Sequence, residues 1–535
     1  MTTEQPDNNA EKPYDDVIHL IVDYAYNFDT PSHAALTRAK AALLDSLGAA
    51  IESLNTSKEC AALVGPLWPN QAGAVSGAFR LPGTKHSLDL LKGAFDLGAT
   101  IRYLDHNDAF AGAEWGHPSG EFDNHYFADS LSDTTGDESL SLIQYLSLAT
   151  DNLGAILATA DVLSRDAAAR GDTAAGGVTI YRVLLAMIKA YEIQGCFQEH
   201  NAFNRVGLDH TILVKIGSTA AVSWLMGLTV DQALSAVSHA WADGHPLRVY
   251  RQAPNTGPRK GWAAGDACTC FVKPMMIADS NGLRAVHLAS LARTGQPGIR
   301  RVLTDPRWGF YHILNKDNEF KLPRPFGNWV MENVLFKVTT AEGHGLTAVE
   351  AALDLVKQLQ ERNLDVKDIK SIRSRTQKPA MIIINKEGPL HNPADRDHCL
   401  RYMVAVVLLK GSQIDTEDYQ NDSPWSTDER LERLRTVITM EEVEQFTLDY
   451  HDSAIRSAAN SLEITMNDGT KLFAQVDFPL GHVRREESLP LVSSKAVRNL
   501  RLGLPADRVD EIVATVNGPD FEKLEVSKFV DLFQP

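Results

Sequence analysis

Leu36, Leu43, Leu44, Leu47 and Ile51 fall at i, i+7, i+8, i+11 and i+15, which is one face of a helix. Gly48, Ala49 and Ala50 in the same stretch let a neighbour approach closely. Three later segments, DNLGAILATADVLSR, TIYRVLLAMIKAYEIQG and TAAVSWLMGLTVDQALSAVSHAW, behave similarly. In the last, Thr229 stands where an N-cap is expected, before Val230-Asp231-Gln232. Many Ala-rich helices in succession over 14–325 predict a tightly packed helical domain.

The pattern changes over 326–487. DIKSIRSRT is short and alternating, which predicts a strand. In SLEITMNDGTKLFAQVDFP, Leu462, Ile464 and Met466 alternate, Asn467-Asp468-Gly469 turns, and Leu472 to Val476 returns as a hairpin. A smaller α+β domain is expected there. Residues 488–535 read as helical again and are expected to pack back on the first domain. The fold class is mainly α.

At 535 residues the chain exceeds the usual ~100–200 per domain, so at least two domains are expected. A net charge of −17 argues against nucleic acid or an anionic membrane as partner. It permits an anionic small molecule held in a local cationic pocket. The five cysteines, Cys60, Cys196, Cys268, Cys270 and Cys399, are scattered, and the Cys268–Cys270 spacing suits neither a zinc knuckle nor a redox pair. Reduced intracellular thiols are the plain reading. No apolar run approaches the ~18 residues of a membrane span. Residues 1–13 are acidic and read as a disordered tail without a transit signal.

Four stretches carry candidate chemistry. Arg102 to Asp108 (RYLDHND), with Glu114 to Ser119 (EWGHPS), crowds carboxylates and imidazole onto a Gly/Pro-punctuated segment, where acid–base groups or a solvated loop both fit. His210 closes NRVGLDH before an apolar helix, a place for a capping residue as much as for a catalyst. GHPLRVYRQAPNTGPRKGWAAG, from Gly244 to Gly265, holds Arg248, Arg251, Arg259 and Lys260 with no acidic residue. Such a set suits a polyanion, because guanidinium groups grip carboxylates bidentately, or else a solvated basic face. Lys337, His344 and Asp397-His398-Cys399 lie in the second domain. The last three are adjacent and, on a helix, would point in different directions, which argues against a metal there.

Together these stretches resemble the MmgE/PrpD family. The matching segments are LDHND, AEWGHPS, DNLGAILATAD, EIQGCF, FNRVGLDH, APNTGPRKGWAAGDA, WGFY, MENVLFK, GPLHNPADRDHC and YHD, in order along nearly the whole chain. The resemblance implies a large all-helical domain plus a smaller α+β lid domain, with the active site between them. Its dehydratase branch implies removal of water from 2-methylcitrate to give 2-methyl-cis-aconitate in the methylcitrate cycle of propionate catabolism. It also implies a small tricarboxylate substrate, no metal or other cofactor, a homodimer, and a place in the mitochondrial matrix or cytoplasm. Carried over residue by residue, the catalytic set is Asp105, His117, His210 and Lys260. Arg251, Arg259, Lys337 and Tyr402 would bind substrate. His117 and His210 would move protons, Asp105 would orient a histidine or a substrate hydroxyl, and the cations would hold the carboxylates. A citrate or cis-aconitate dehydratase or decarboxylase of the same family is the neighbouring reading.

The chain departs from the family in two places. Gly120 to Thr150, thirty-one residues, separates Ser119 from Asp151, where the family runs from HPS directly into DNLG. CTCFVKPMMIADSN, residues 268–281, similarly follows Gly265-Asp266-Ala267. Each reads as a lineage-specific loop or as a translated intron, and on either origin an insertion that disables the site would leave an inactive chain. Ala109 stands where a threonine is common, and the lysine of MENVLFK lacks the usual following proline, which leaves His344 less well placed than Lys337.

Overall fold

The computed structural model describes residues 13–66, 78–111, 146–147, 149–171, 178–201, 203–251, 257–268, 285–452 and 454–535. His117, nearly all of the expected tail, and most of both insertions lie outside them.

The periodic stretch around Leu43 forms the helix His33–Thr56, started by the Ser32 hydroxyl, which accepts from the Ala35 N–H. Its neighbour at Gly48 is the helix Ser488–Leu500: a β-carbon on Gly48 would lie 3.2 Å from Ala496 Cα. The other predicted helices are Leu153–Ala169, Ile180–His200, Thr211–Leu225 and Val230–Ala242. Thr229 and Gln232 cap the last one reciprocally. Gly227, with φ +67°, separates it from the helix before.

Three helices cross at glycines. A β-carbon on Gly265 would meet Phe95 O at 2.5 Å, and one on Gly154 would meet Gly98 N at 2.7 Å. The helix Leu90–Arg102 is thereby pressed against both Arg259–Cys268 and Leu153–Ala169. This contact sets the position of Arg102, Lys260 and Asp151.

One large core joins the helices from Ala35 onward to Val492, Ala496, Phe529 and Phe533 near the C-terminus. Phe197, Phe203, Trp241 and Phe310 fill a second core beside the helix Asp16–Asn27. A third core runs from Leu335 to Ala474. Its sheet contains β1 (Ile369–Thr376), β2 (Ile438–Glu442), β3 (Asn460–Met466) and β4 (Lys471–Val476), in the order β2-β1-β3-β4. β3 and β4 form the expected antiparallel hairpin, with Ile464 opposite Leu472. β2 pairs parallel to β1, with Ile438 opposite Ile372. Leu462, Ile464 and Met466 are buried, as their alternation requires. Among the described residues no helix is long and apolar enough to cross a membrane.

Two short pairings build the site. Ala109 and Leu335 exchange backbone hydrogen bonds of 2.7 Å, tying the LDHND stretch to ENVLFK. Phe110–Ala111 pairs antiparallel with Leu146–Ser147, so the chain leaves this ladder at Ala111 and re-enters it at Leu146.

Candidate active site

The helix Leu90–Arg102 ends at Tyr103, and Asp105 then takes a left-handed conformation, φ +56°. Asp enters this region more readily than most side chains, and such conformations gather at functional sites. Three cations meet the Asp105 side chain. Arg102 Nη1 and Lys337 Nζ lie 2.8 and 2.9 Å from Oδ1, and Lys260 Nζ lies 3.2 Å from Oδ2. Burial pushes this carboxyl up, but Arg102, Lys260 and Lys337 outweigh it and hold it well below the usual carboxylate range. Burial lowers the Lys337 ammonium, with Asp105 opposing.

Lys260 also faces the third core. Its Nζ lies 3.5 Å from Asp397 Oδ2 and 3.2 Å from His398 Nδ1. Asp397 and His398 therefore converge on one ammonium, contrary to the sequence expectation. They sit in the turn between the helices Pro393–Arg396 and Leu400–Lys410, not within a helix. Cys399 is buried and faces Lys386 O. Glu342 and His344 form a buried pair nearby, with His344 Nδ1 2.9 Å from Glu342 Oε1 and Nε2 2.8 Å from Tyr450 Oη. Burial raises the Glu342 carboxyl, yet His344 and the more distant His398 and Lys337 bring it down to about 2.

On the helical side, Asp209 N donates to Pro246 O and Arg248 N donates to Gly207 O, so the GLDH turn and the basic loop run together. Arg251 grips Asp209 through Nε and, at 3.0 Å, through Nη2. The same Nη2 lies 3.5 Å from His210 Nε2. Burial lowers the His210 imidazole, Arg251, Arg248 and Arg102 add to this, and Asp209 opposes, so the ring stays neutral. His210 precedes the helix Thr211–Leu225 but makes no side-chain cap to it.

Asp151 lies between these groups, 3.8 Å from Arg102 Nε. Burial pushes its carboxyl up to about 7, with Arg102 and Arg251 opposing.

Asp105, Lys260 and Lys337 thus meet directly, and Arg251 and His210 form the adjoining group. Two expected binders are placed elsewhere. Arg259 is more than a third exposed, pairs with Asp266 at 3.2 Å and lies over the Trp262 ring. Tyr402 is sunk in the third core, and its hydroxyl donates to Asp418 O at 2.7 Å. It faces inward because it follows the apolar period of its own helix. Arg102, Asp151, Asp209, Asp397 and His398 had no role in the expected set. Their signal was adjacency: each belongs to, or borders, a stretch already singled out.

Sequence comparisons give the family. The MmgE/PrpD N-terminal domain matches residues 21–122 and 142–323, and the MmgE/PrpD C-terminal domain matches 340–517. The first match omits 123–141, inside the segment read as an insertion. A 2-methylcitrate dehydratase-like protein of Aspergillus oryzae is 61% identical, with 100% of this chain and 99% of that protein covered. An alkylcitrate dehydratase of a fungal species is 44% identical, with 97% and 94% covered. The mitochondrial 2-methylcitrate dehydratase of Yarrowia lipolytica is 41% identical, with 98% and 91% covered. With both halves matched in order and relatives alike over nearly their full lengths, the chain belongs to the MmgE/PrpD family.

Proposed function

We propose that this protein is a hydro-lyase that removes water from 2-methylcitrate to give 2-methyl-cis-aconitate in propionate breakdown. The observation that carries the reading is the convergence of Lys260, Lys337, Arg102 and Arg251 beside a neutral buried imidazole, His210. A tricarboxylate needs fixed positive charge, and elimination next to a carboxylate needs a proton acceptor. His210, kept neutral, takes the proton from carbon. Lys260 and Lys337 hold substrate carboxylates, while Asp105 positions both ammonium groups. His117, which the family resemblance puts in the same site, is the histidine against which any other proton donor has to be tested. The reaction proceeds without metal: the buried carboxylates Asp105, Asp209 and Asp397 are already matched to Lys and Arg.

The relative named as an alkylcitrate dehydratase favours a second reading, in which the 2-substituent is longer than methyl. Turnover of 2-methylcitrate and of a longer 2-alkylcitrate, side by side, separates the two. A lid formed by 326–487, a homodimer and an intracellular location complete the proposal. Light scattering of the purified protein checks the dimer, and the relative named as mitochondrial supports mitochondria over the cytoplasm.

A further inference from the structure

Asp151 opens the DNLGAILATAD stretch, and its side chain is fully buried. Neither carboxyl oxygen has a hydrogen-bond partner among the described residues. Arg102 Nε, at 3.8 Å, is too far for a hydrogen bond, and Arg102 Nη1 is engaged by Asp105. Arg102 and Arg251 favour the ionised form of Asp151, while Asp108 and Asp105 oppose it. The backbone around it is fixed. Cys268 Sγ donates to Asp151 O at 3.0 Å, and Asn152 is held by Gln194 and Ser218.

A carboxylate buried without hydrogen bonds is costly, and a bound proton relieves that cost. Burial pushes this group up to about 7, whereas Asp105 and Asp209 are held well below the ordinary range. Titratable groups driven apart in this way mark the acid and base of a site. His210 is the neutral acceptor, and Asp151 is the neutral carboxyl beside the same two arginines.

We propose that Asp151 is the general acid of the elimination, giving its proton to the departing hydroxyl. The inference rests on the dehydration reading above. His210 takes the carbon-bound proton, and the C–H electron pair becomes the second bond of the new C=C. The C–O bond breaks, and the hydroxyl leaves with the Asp151 proton as water. Return of the His210 proton to the carboxylate resets the site.

The test compares wild type, Asp151→Asn and His117→Gln on 2-methylcitrate across pH, with infrared difference spectra of wild type against Asp151→Asn. The wild-type kcat/KM is expected to fall as pH rises through about 7. Asp151→Asn should lose ~10²–10⁴-fold in kcat, and its residual activity should lack that alkaline limb. In the wild-type minus Asp151→Asn difference a carboxylic-acid carbonyl band should remain at pH 6, because the protonated Glu350, Asp45 and Asp96 are common to both and cancel. Wild-type turnover in Asp151→Asn, or an alkaline limb that persists in it, overturns the assignment. A limb that vanishes only in His117→Gln gives the role to His117. If Asp151→Asn does not fold, Asp151→Glu replaces it: the alkaline limb and one acid band should shift together, and a limb that stays where wild type has it overturns the proposal. Failure of wild type to dehydrate any alkylcitrate, with the band intact, overturns the dehydration reading and this acid with it.

Discussion

Lys337 donates to both the carboxylate and the backbone carbonyl of Asp105, at 2.9 Å each. The contact ties the LDHND turn of the helical part to the ENVLFK stretch at the edge of the third core. Lys495 reinforces it from the helix Ser488–Leu500, donating to His106 O at 2.8 Å and Lys337 O at 2.6 Å while paired with Asp45.

Lys337→Met removes one of the three cations on Asp105, so the carboxyl rises toward its ordinary range. A depressed carboxyl stabilises the fold above its unfolded pKa and loses that contribution as pH falls. Lys337→Met should therefore melt earlier than wild type at pH 7, and the gap should narrow below about pH 4. Turnover should drop ~10²–10³-fold, the usual effect of deleting one charge-stabilising donor. Melting curves at pH 7 and pH 3.5, with steady-state kinetics, check both.

Asp151→Asn should act on stability in the opposite sense. A carboxyl raised to about 7 favours the fold while protonated, and that contribution is lost as pH climbs from ~4 through 7. The asparagine variant should melt like wild type at pH 4 and later than wild type at pH 8. Thermal melts across this range test it, and equal melting at pH 8 would contradict the unpartnered burial of Asp151.

Gly265→Val should separate the helices Leu90–Arg102 and Arg259–Cys268, because even a β-carbon would sit 2.5 Å from Phe95 O. Overpacking of this kind typically costs ~1–3 kcal/mol. Arg102 and Lys260 would move with their helices, and a 1 Å displacement is worth about 10²-fold in rate. A variant whose melting temperature and kcat match wild type would show that the crossing does not set the site.

Much of the architecture was legible in the sequence. The helix around Leu43 and the hairpin at Asn467-Asp468-Gly469 each repeat a period over several residues, and the Thr229 cap is a local signal. β2 was not legible, because ITMEE is short and ends in charge, and its parallel partner β1 lies more than sixty residues away. Short motifs singled out Asp105, Lys260, Lys337, Arg251 and His210, and the structure groups them. Tyr402 and Arg259 show the limit of motif reasoning: adjacency to a motif does not say which way a side chain points. Asp397 and His398 failed the other way, since a turn rather than a helix lets both reach Lys260. Asp151 stayed silent because its character comes from what does not contact it.

Deleting 123–141 should leave the enzyme folded and active within a few-fold. The deletion spares the Phe110–Ala111 and Leu146–Ser147 ladder, so Asp108 and Asp151 keep their anchors. Changing a loop's length by a factor of two alters closure entropy by only ~0.6 kcal/mol. Comparison of melting temperature and turnover with the full chain checks this, and activity gained only on deletion would mark the segment as disabling.

The central measurement is turnover of 2-methylcitrate by the full-length protein with a chelator present, followed by the absorbance of the unsaturated product. Wild type should dehydrate the substrate at a rate the chelator does not change, and His210→Gln should be slower by ~10²–10⁴-fold. No turnover of 2-methylcitrate or of a longer alkylcitrate, or turnover that the chelator abolishes, would contradict the account.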